Sequence, residues 1–459
     1  MISHKTLIVI GLVTAIGGPA LAQQSIPRAP AAALIAAALK DDRAYALTRD
    51  LTTEIGPRLA GTPAEAKARD WAVARLTREG FNNVRIEPFT ITYWGRVRES
   101  AEIVGPYGQR LEVHAAGGSI GTLQTGIEAP VVRFADMAAL RASAGGSLAG
   151  KIAFIDGAME VTQDGRSYGT SVEKRRECAP VAAAKGALAC LVRSAGTSQR
   201  HVHVGQGRRG EQSVIPALIL ANADAAQLTR VLEKGPTNVR LNVQVETLAN
   251  APSGNVIAEI RGTERPNEIV VLACHLDSWD LGTGALDDAV GCGIVTAAVL
   301  NTVAVAGAPK RTIRIIWFGA EEVGVLGGRA YAAAQQPTIE THVFAGESDS
   351  GGGTIYRADF KLSAAAKPLG DAIARSLSSL TISRGNDNAS GGPDIVPLMS
   401  LGVPVVDLQQ DVSDYFALHH TPDDTLERVD PVKVRQNVAA WSVTAWYAGW
   451  TTLDFRTGR

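Results

Sequence analysis

Cysteine is scarce in this chain of 459 residues, which carries only Cys178, Cys190, Cys274 and Cys292. Four are too few for a disulfide scaffold, and none stand in the C-x-x-C spacing of a structural zinc site. Charge imbalance is missing too. Lys and Arg number 45 against 46 Asp and Glu, a formal net charge of -1, so there is no electrostatic ground for binding nucleic acid. Long apolar runs are also missing. The run Leu7 to Ile16 is broken by Gly17-Gly18-Pro19, short of the roughly 20 residues that cross a bilayer, and no later run is expected to span one. Nucleic acid and membrane are therefore set aside as partners.

What is present begins with a three-part N-terminal pattern. Met1-Ile2-Ser3-His4-Lys5 precedes the apolar run, and Ala20-Leu21-Ala22 follows the Gly-Gly-Pro break. This is a secretory signal with expected cleavage after Ala22, which places the mature chain outside the cytoplasm, secreted or periplasmic. In that setting Cys178 with Cys190, or Cys274 with Cys292, can bridge; buried free thiols are an equal reading.

The length predicts two domains, or one large domain with an insertion. Thr62-Pro63-Ala64-Glu65 combines a cap hydroxyl, a proline at the first helical position and a glutamate at the third, which predicts a helix running to about Glu79. Strand alternation follows in Val84 to Phe89 and Ile91 to Val97. From about Gly117 to Thr247 the texture changes to short Val/Ile strands between Gly-rich turns, read as an inserted β-rich domain within a body formed by residues 23–116 and 248–459. His201 and His203 fall in this insertion, in an Arg-rich and Gly-rich loop, and are read as solvated. Beyond Asn255, strand and helix alternate: Ile269 to Ala273, Gly291 to Val305, Thr312 to Phe318, Val323 to Ala334, Val403 to Leu408, and a closing helix Pro431 to Trp450. The expected class is α/β, a mostly parallel mixed sheet with helices on both faces.

Five side chains suited to metal binding sit just after predicted strands or in loops bordering them: His275, Asp287, Glu322, Asp349 and His420. Open α/β sheets collect ligands at such places. Each motif alone is weak, because His-x-Asp, Asp-Asp and Glu-Glu also occur as caps, turns and solvated pairs. Together they make two histidines and three carboxylates, a set that suits zinc, and one bridging carboxylate lets two ions share the other four.

These strings resemble the M28 family of zinc exopeptidases, and within it the carboxypeptidase Q branch. The resemblance rests on Gly56-Pro57-Arg58-Leu59-Ala60-Gly61, His275-Leu276-Asp277-Ser278-Trp279-Asp280, Gly284-Ala285-Leu286-Asp287-Asp288, Ala320-Glu321-Glu322, Glu347-Ser348-Asp349, and His419-His420 with Asp424-Thr425. It extends over nearly the whole mature chain and implies two zinc ions, with Asp287 bridging them. Glu322 and His420 would complete one ion, His275 and Asp349 the other. Glu321 is implied as general base, Asp277 as the carboxylate that holds the free imidazole N–H of His275, and Asp288 as a support for the bridge, with a cis link after Asp287. The insertion then resembles a protease-associated domain. Peptides are the implied substrates, dipeptides or short chains cut from the C-terminus, and a homodimer is plausible by resemblance.

Three other readings compete. Ser348-Asp349-Ser350-Gly351-Gly352 looks like the surroundings of a serine nucleophile, but that fold is all β and no upstream histidine lies in matching context. A binding module on the same fold would lack the chemistry, whereas every implied ligand and the base are present here. Within the family, aminopeptidases are the alternative in direction.

Overall fold

The computed structural model describes residues 26–208, 210 and 212–457, so the expected signal and its cleavage point lie outside the described residues. Helix α1, Pro63–Arg78, starts where the cap pattern places it: the Thr62 hydroxyl accepts the Glu65 N–H at 3.2 Å, and Pro63 occupies a position whose N–H would have no partner. Strand β1, Asn82–Val104, merges the two short strands read from the alternation. The segment read as an insertion follows with β2 (Ile127–Phe134), β3 (Ile152–Ile155), α2 (Tyr168–Ala183), β4 (Ala189–Arg193) and β5 (Ala217–Leu220). The chain returns along β6 (Asn238–Ile260) into β7 (Arg265–His275), α3 (Val290–Ala306), β8 (Arg311–Phe318), α4 (Leu326–Gln335), β9 (His342–Glu347), β10 (Ile355–Lys361), β11 (Val405–Gln410) and α5 (Pro431–Gly449).

In the body the strand order is β10-β11-β9-β7-β8-β6-β1. The central β11, β9, β7 and β8 are mutually parallel; β10, β6 and β1 join antiparallel. Helices cover both faces, as the apolar runs of the central strands require. Along β7, Val270, Leu272 and Cys274 pack with α3 and α5 residues such as Val295 and Trp441, while Val271 and Ala273 pack with Tyr331 of α4. That division follows from the two-residue period of a strand.

Strands β1 and β6 pair antiparallel along nearly their whole length and run from the body into the insertion. There β6 pairs with β2, and β2, β3, β4 and β5 continue as parallel neighbours with α2 packed against them. The stretch read as β-rich thus also carries helices. Its core draws in Trp94, Ala101 and Ile103 from β1, and Trp279 from the loop after β7.

Two expectations are corrected. Segment Ala285–Ala306 is, by length and composition, apolar enough to cross a membrane; it is a core helix, with Ile294, Val295, Ala298 and Val299 buried. Helix α4 begins at Leu326 rather than Val323. Gly324 N–H and Val325 N–H bond back to the Glu321 carbonyl, and Val325 takes a left-handed φ of 60°, so residues 321–325 form a tight turn ahead of the helix. Both cysteine pairs are disulfides: Cys178–Cys190 ties α2 to β4, and Cys274–Cys292 ties the end of β7 to α3.

Candidate metal centre

Parallel register brings the ends of β7, β8 and β9 together. His275 pairs with Phe318, and Ala273 with Glu347, so the loops carrying Glu322 and Asp349 leave the sheet beside His275. Asp287 arrives from the turn before α3, after Gly284 at φ 60°, and His420 from the loop after β11.

All five side chains converge. His275 Nε2 lies 3.2 Å from Asp287 Oδ1 and 3.4 Å from Asp349 Oδ1. His420 Nε2 lies 2.8 Å from Asp287 Oδ2 and 2.9 Å from Glu322 Oε2. Asp287 therefore presents one oxygen to each imidazole, and each imidazole has a second carboxylate of its own. The candidate ligand atoms of either trio lie within 4.8 Å of one another. His275, Asp287 and Glu322 are buried, and Glu322 Oε1 has no hydrogen-bond partner.

The surroundings hold this arrangement. The Asp287–Asp288 peptide is cis, as the resemblance implied. Asp288, fully buried, accepts the N–H of His275 at 3.2 Å and of Gly291 at 3.1 Å, joining the β7 terminus to α3. Asp277 departs from the expected contact. His275 Nδ1 is 2.9 Å from the main-chain carbonyl of Asp277, whereas the Asp277 carboxylate stands 3.9 Å away. That carboxylate instead accepts the N–H of Glu321 at 3.0 Å and of Glu322 at 3.3 Å. The side chain two residues beyond His275 turns to the neighbouring loop, while the carbonyl it leaves behind serves the imidazole.

Three contributing residues have no role in the sequence reading, although Arg58 and Asp424 stand in its matching strings. Arg58 is completely buried and donates to the carbonyls of Leu276, Thr283 and Gly284 at 2.5, 2.7 and 2.9 Å. It lies within the Gly56-Pro57-Arg58 string that carries part of the resemblance, where no role falls to the arginine. Asp424 accepts the Leu286 N–H at 2.6 Å, next to Asp287. The Tyr415 hydroxyl donates to Asp287 Oδ1 at 3.0 Å, and nothing in its short helical context distinguished it from a packing aromatic.

A model of "Peptidase family M28" matches residues 255–445. Carboxypeptidase Q of Rattus norvegicus is 33% identical over 408 residues, 88% of this chain and 85% of the rat protein. The chain belongs to peptidase family M28. The crystal structure of a peptidase M28 precursor from Shewanella amazonensis superposes on this M28 peptidase with a TM-score of 0.90 at 41% identity, over 94% of this chain and 98% of the other. A zinc aminopeptidase from Bacillus subtilis shares the fold, with a TM-score of 0.65 at 22% identity over 91% of this chain and 97% of its own.

Electrostatics within this M28 site follow from burial and crowding. Burial opposes protonation of His275, but Asp349 and Asp287 outweigh it and hold the imidazole well above its ordinary pKa; at His420, Glu322 and Asp287 do the same. Burial works against ionisation of Asp287, yet His420 and His275 hold it well below the usual range. Glu322 is pushed up to about 8 by burial with Asp287 adding, and Asp424 to about 7 for the same two reasons. Asp277 rises to about 6 through burial, with Glu321 adding to it.

Four of the five, Asp287, Glu322, Asp349 and His420, line a cleft of about 330 Å³, together with Glu321, Tyr415 and His419 and with Tyr168, Arg175 and Arg176 of α2, while His275 lies buried behind it. Ser350 Oγ donates to the Asp349 carbonyl at 2.7 Å, and Ser348 Oγ is buried without a hydrogen-bond partner. Neither serine is bonded to a base, which removes the serine-nucleophile reading. His203 corrects the solvated reading, being completely buried, whereas His201 is partly exposed.

Proposed function

We propose that this M28 peptidase is an exported di-zinc exopeptidase that hydrolyses dipeptides or short peptides in the carboxypeptidase or dipeptidase sense. The observation that carries the reading is Asp287 set between two imidazoles, each backed by its own carboxylate. The residues fit the metal. Imidazole and carboxylate are ordinary zinc ligands, and the buried Glu322 Oε1 has no protein partner. The Nδ1 atoms of both histidines are bonded to main-chain carbonyls, at 2.9 Å to Asp277 and 2.8 Å to Val204, which leaves each Nε2 as the donor atom. His275, Asp349 and Asp287 would hold one ion, and Asp287, Glu322 and His420 the other.

Bound zinc supplies Lewis acidity, polarising the scissile carbonyl and lowering the pKa of a water. The chain's own residues do the rest. Glu321 lines the cleft one residue from Glu322, its main chain pinned by Asp277. From there its carboxylate takes the proton of the attacking water and returns it to the leaving amine. The Tyr415 hydroxyl keeps Asp287 Oδ1 oriented. Arg176 lines the cleft, and guanidinium suits a free carboxylate, which supports release from the C-terminal end. The two disulfides support an oxidising compartment outside the cytoplasm, and we read the inserted unit as the protease-associated domain of such enzymes.

The test is a dipeptide panel with the N-terminus acetylated or the C-terminus amidated, run with zinc and after chelation. Cleavage of acetylated but not amidated substrates, abolished by chelation and restored by zinc, is the expected result. The reverse preference establishes an aminopeptidase. Activity that survives complete metal removal overturns the zinc reading.

A further inference from the structure

The insertion reaches further into the centre than a flanking lid would. His420, which takes a left-handed φ of 59°, is clamped by Val204 through two bonds: His420 Nδ1 to the Val204 carbonyl at 2.8 Å, and the Val204 N–H to the His420 carbonyl at 3.1 Å. Beside it, Thr197 N–H donates to the Phe416 carbonyl at 2.8 Å. That approach is close enough that a Cβ on Gly196 would lie 2.6 Å from the same carbonyl oxygen.

His203 organises this junction. Arg175 Nη1 is 3.2 Å from His203 Nδ1, and also 3.1 Å from the Val204 carbonyl. Guanidinium only donates, so His203 accepts at Nδ1 and carries its proton on Nε2. That N–H faces His419 Nε2, 3.1 Å away, with the Tyr168 hydroxyl at 3.4 Å beside it. The chain Arg175–His203–His419 therefore runs from α2 of the insertion to the residue preceding His420, and it holds from two sides the segment that orients His420 Nε2 toward Asp287 and Glu322.

We propose that His203, oriented by Arg175, is a positioning residue for His420, so that the insertion is a working part of the metal centre. This rests on the zinc reading above. A ligand whose outer hydrogen bond is lost binds metal about 10- to 100-fold more weakly; that bond of His420 goes to the Val204 carbonyl, which Arg175 holds together with His203, so the loss falls on the ion shared by Glu322 and His420. Phenylalanine at His203 keeps the bulk and removes the polarity; glutamine restores an amide donor near the Nε2 position.

The experiment compares wild type, His203→Phe and His203→Gln. Zinc per chain is measured by elemental analysis, zinc affinity by competition with a chromophoric chelator, and the thermal midpoint on metal-free protein. His203→Phe should loosen one of two zinc equivalents about 10- to 100-fold with the metal-free midpoint kept, and His203→Gln should restore most of the affinity. Unchanged zinc affinity in His203→Phe overturns the positioning role. So does a loss of affinity that accompanies a collapsed metal-free midpoint and is not repaired by glutamine. A wild-type chain that binds no zinc sinks the zinc reading itself, a distinct failure.

Discussion

Replacing Asp277 with asparagine separates two ways in which this residue can serve the site. In the structure its carboxylate accepts two main-chain N–H groups, from Glu321 at 3.0 Å and Glu322 at 3.3 Å, and is fully buried. A hydrogen bond to an ionised partner contributes about 1.5–3 kcal/mol. Asparagine keeps one acceptor oxygen and turns an amide donor toward the second N–H, so one bond is reduced to the neutral kind. The other N–H is left buried and unpaired, at a cost of about 1–3 kcal/mol. The sum is about 3 kcal/mol, or roughly two orders of magnitude at 1.36 kcal/mol per tenfold. Both N–H groups belong to the turn that carries Glu321 and Glu322. The loss should therefore appear as a drop of about 100-fold in kcat/KM and as weaker binding of the ion assigned to Glu322 and His420. The ion assigned to His275 and Asp349 should be held almost as before. Stepwise chelator titration followed by activity assays reads both. If Asp277→Asn instead releases the His275 ion first, the carboxylate acts on the imidazole after all and the reasoning fails.

Glu321→Gln should lower kcat by about 10²- to 10⁴-fold while zinc content per chain stays that of wild type; loss of zinc would show that Glu321 is a ligand and not a base. Metal-free protein should lose stability as pH rises. The folded-state values of Asp277, Asp424 and Glu322, about 6, 7 and 8, lie above ordinary values of 3.8, 3.8 and 4.5, so the folded chain holds these protons longer than the unfolded one. His275 and His420, raised above 6.5, act in the same direction. A chelated sample should melt lower near about pH 8 than near about pH 5, with the gap narrowing once zinc replaces the protons; a higher midpoint at the alkaline end refutes this. Arg58→Met strips the donor from four main-chain carbonyls, those of Gly56, Leu276, Thr283 and Gly284, and removes a cation attracted by Asp424, Asp277, Asp288 and Asp287. It should destabilise the folded chain by about 3–5 kcal/mol, read as a lowered urea midpoint; a change under about 1 kcal/mol would show that the loop stands without it.

Much was legible in one dimension because local rules govern it. The Thr62 cap with Pro63 and Glu65 set the start of α1 to the residue, and the alternating apolar strands and helices after Asn255 gave away a sheet covered on both faces. Misreadings came where a local signal had a distant partner. The helix expected from Val323 starts at Leu326 because Glu321 anchors the turn before it and the Asp277 carboxylate fixes that turn's main chain. His203 looked solvated because its neighbours in sequence are polar, yet its neighbours in space are Arg175 and His419.

The order of residues by itself determined the candidate ligand types, their attachment to strand ends and the α/β class, since these follow from short-range periodicity and from the chemistry of single side chains. Only the tertiary structure decided which atoms meet. It set Asp287 between two imidazoles, gave the Asp277 carboxylate to the Glu321 turn, closed both disulfides and brought Val204 onto His420. Hydrogen bonds act over about 3 Å between specific atoms, and contacts between residues 216 positions apart, such as Val204 and His420, leave no periodic trace along the chain.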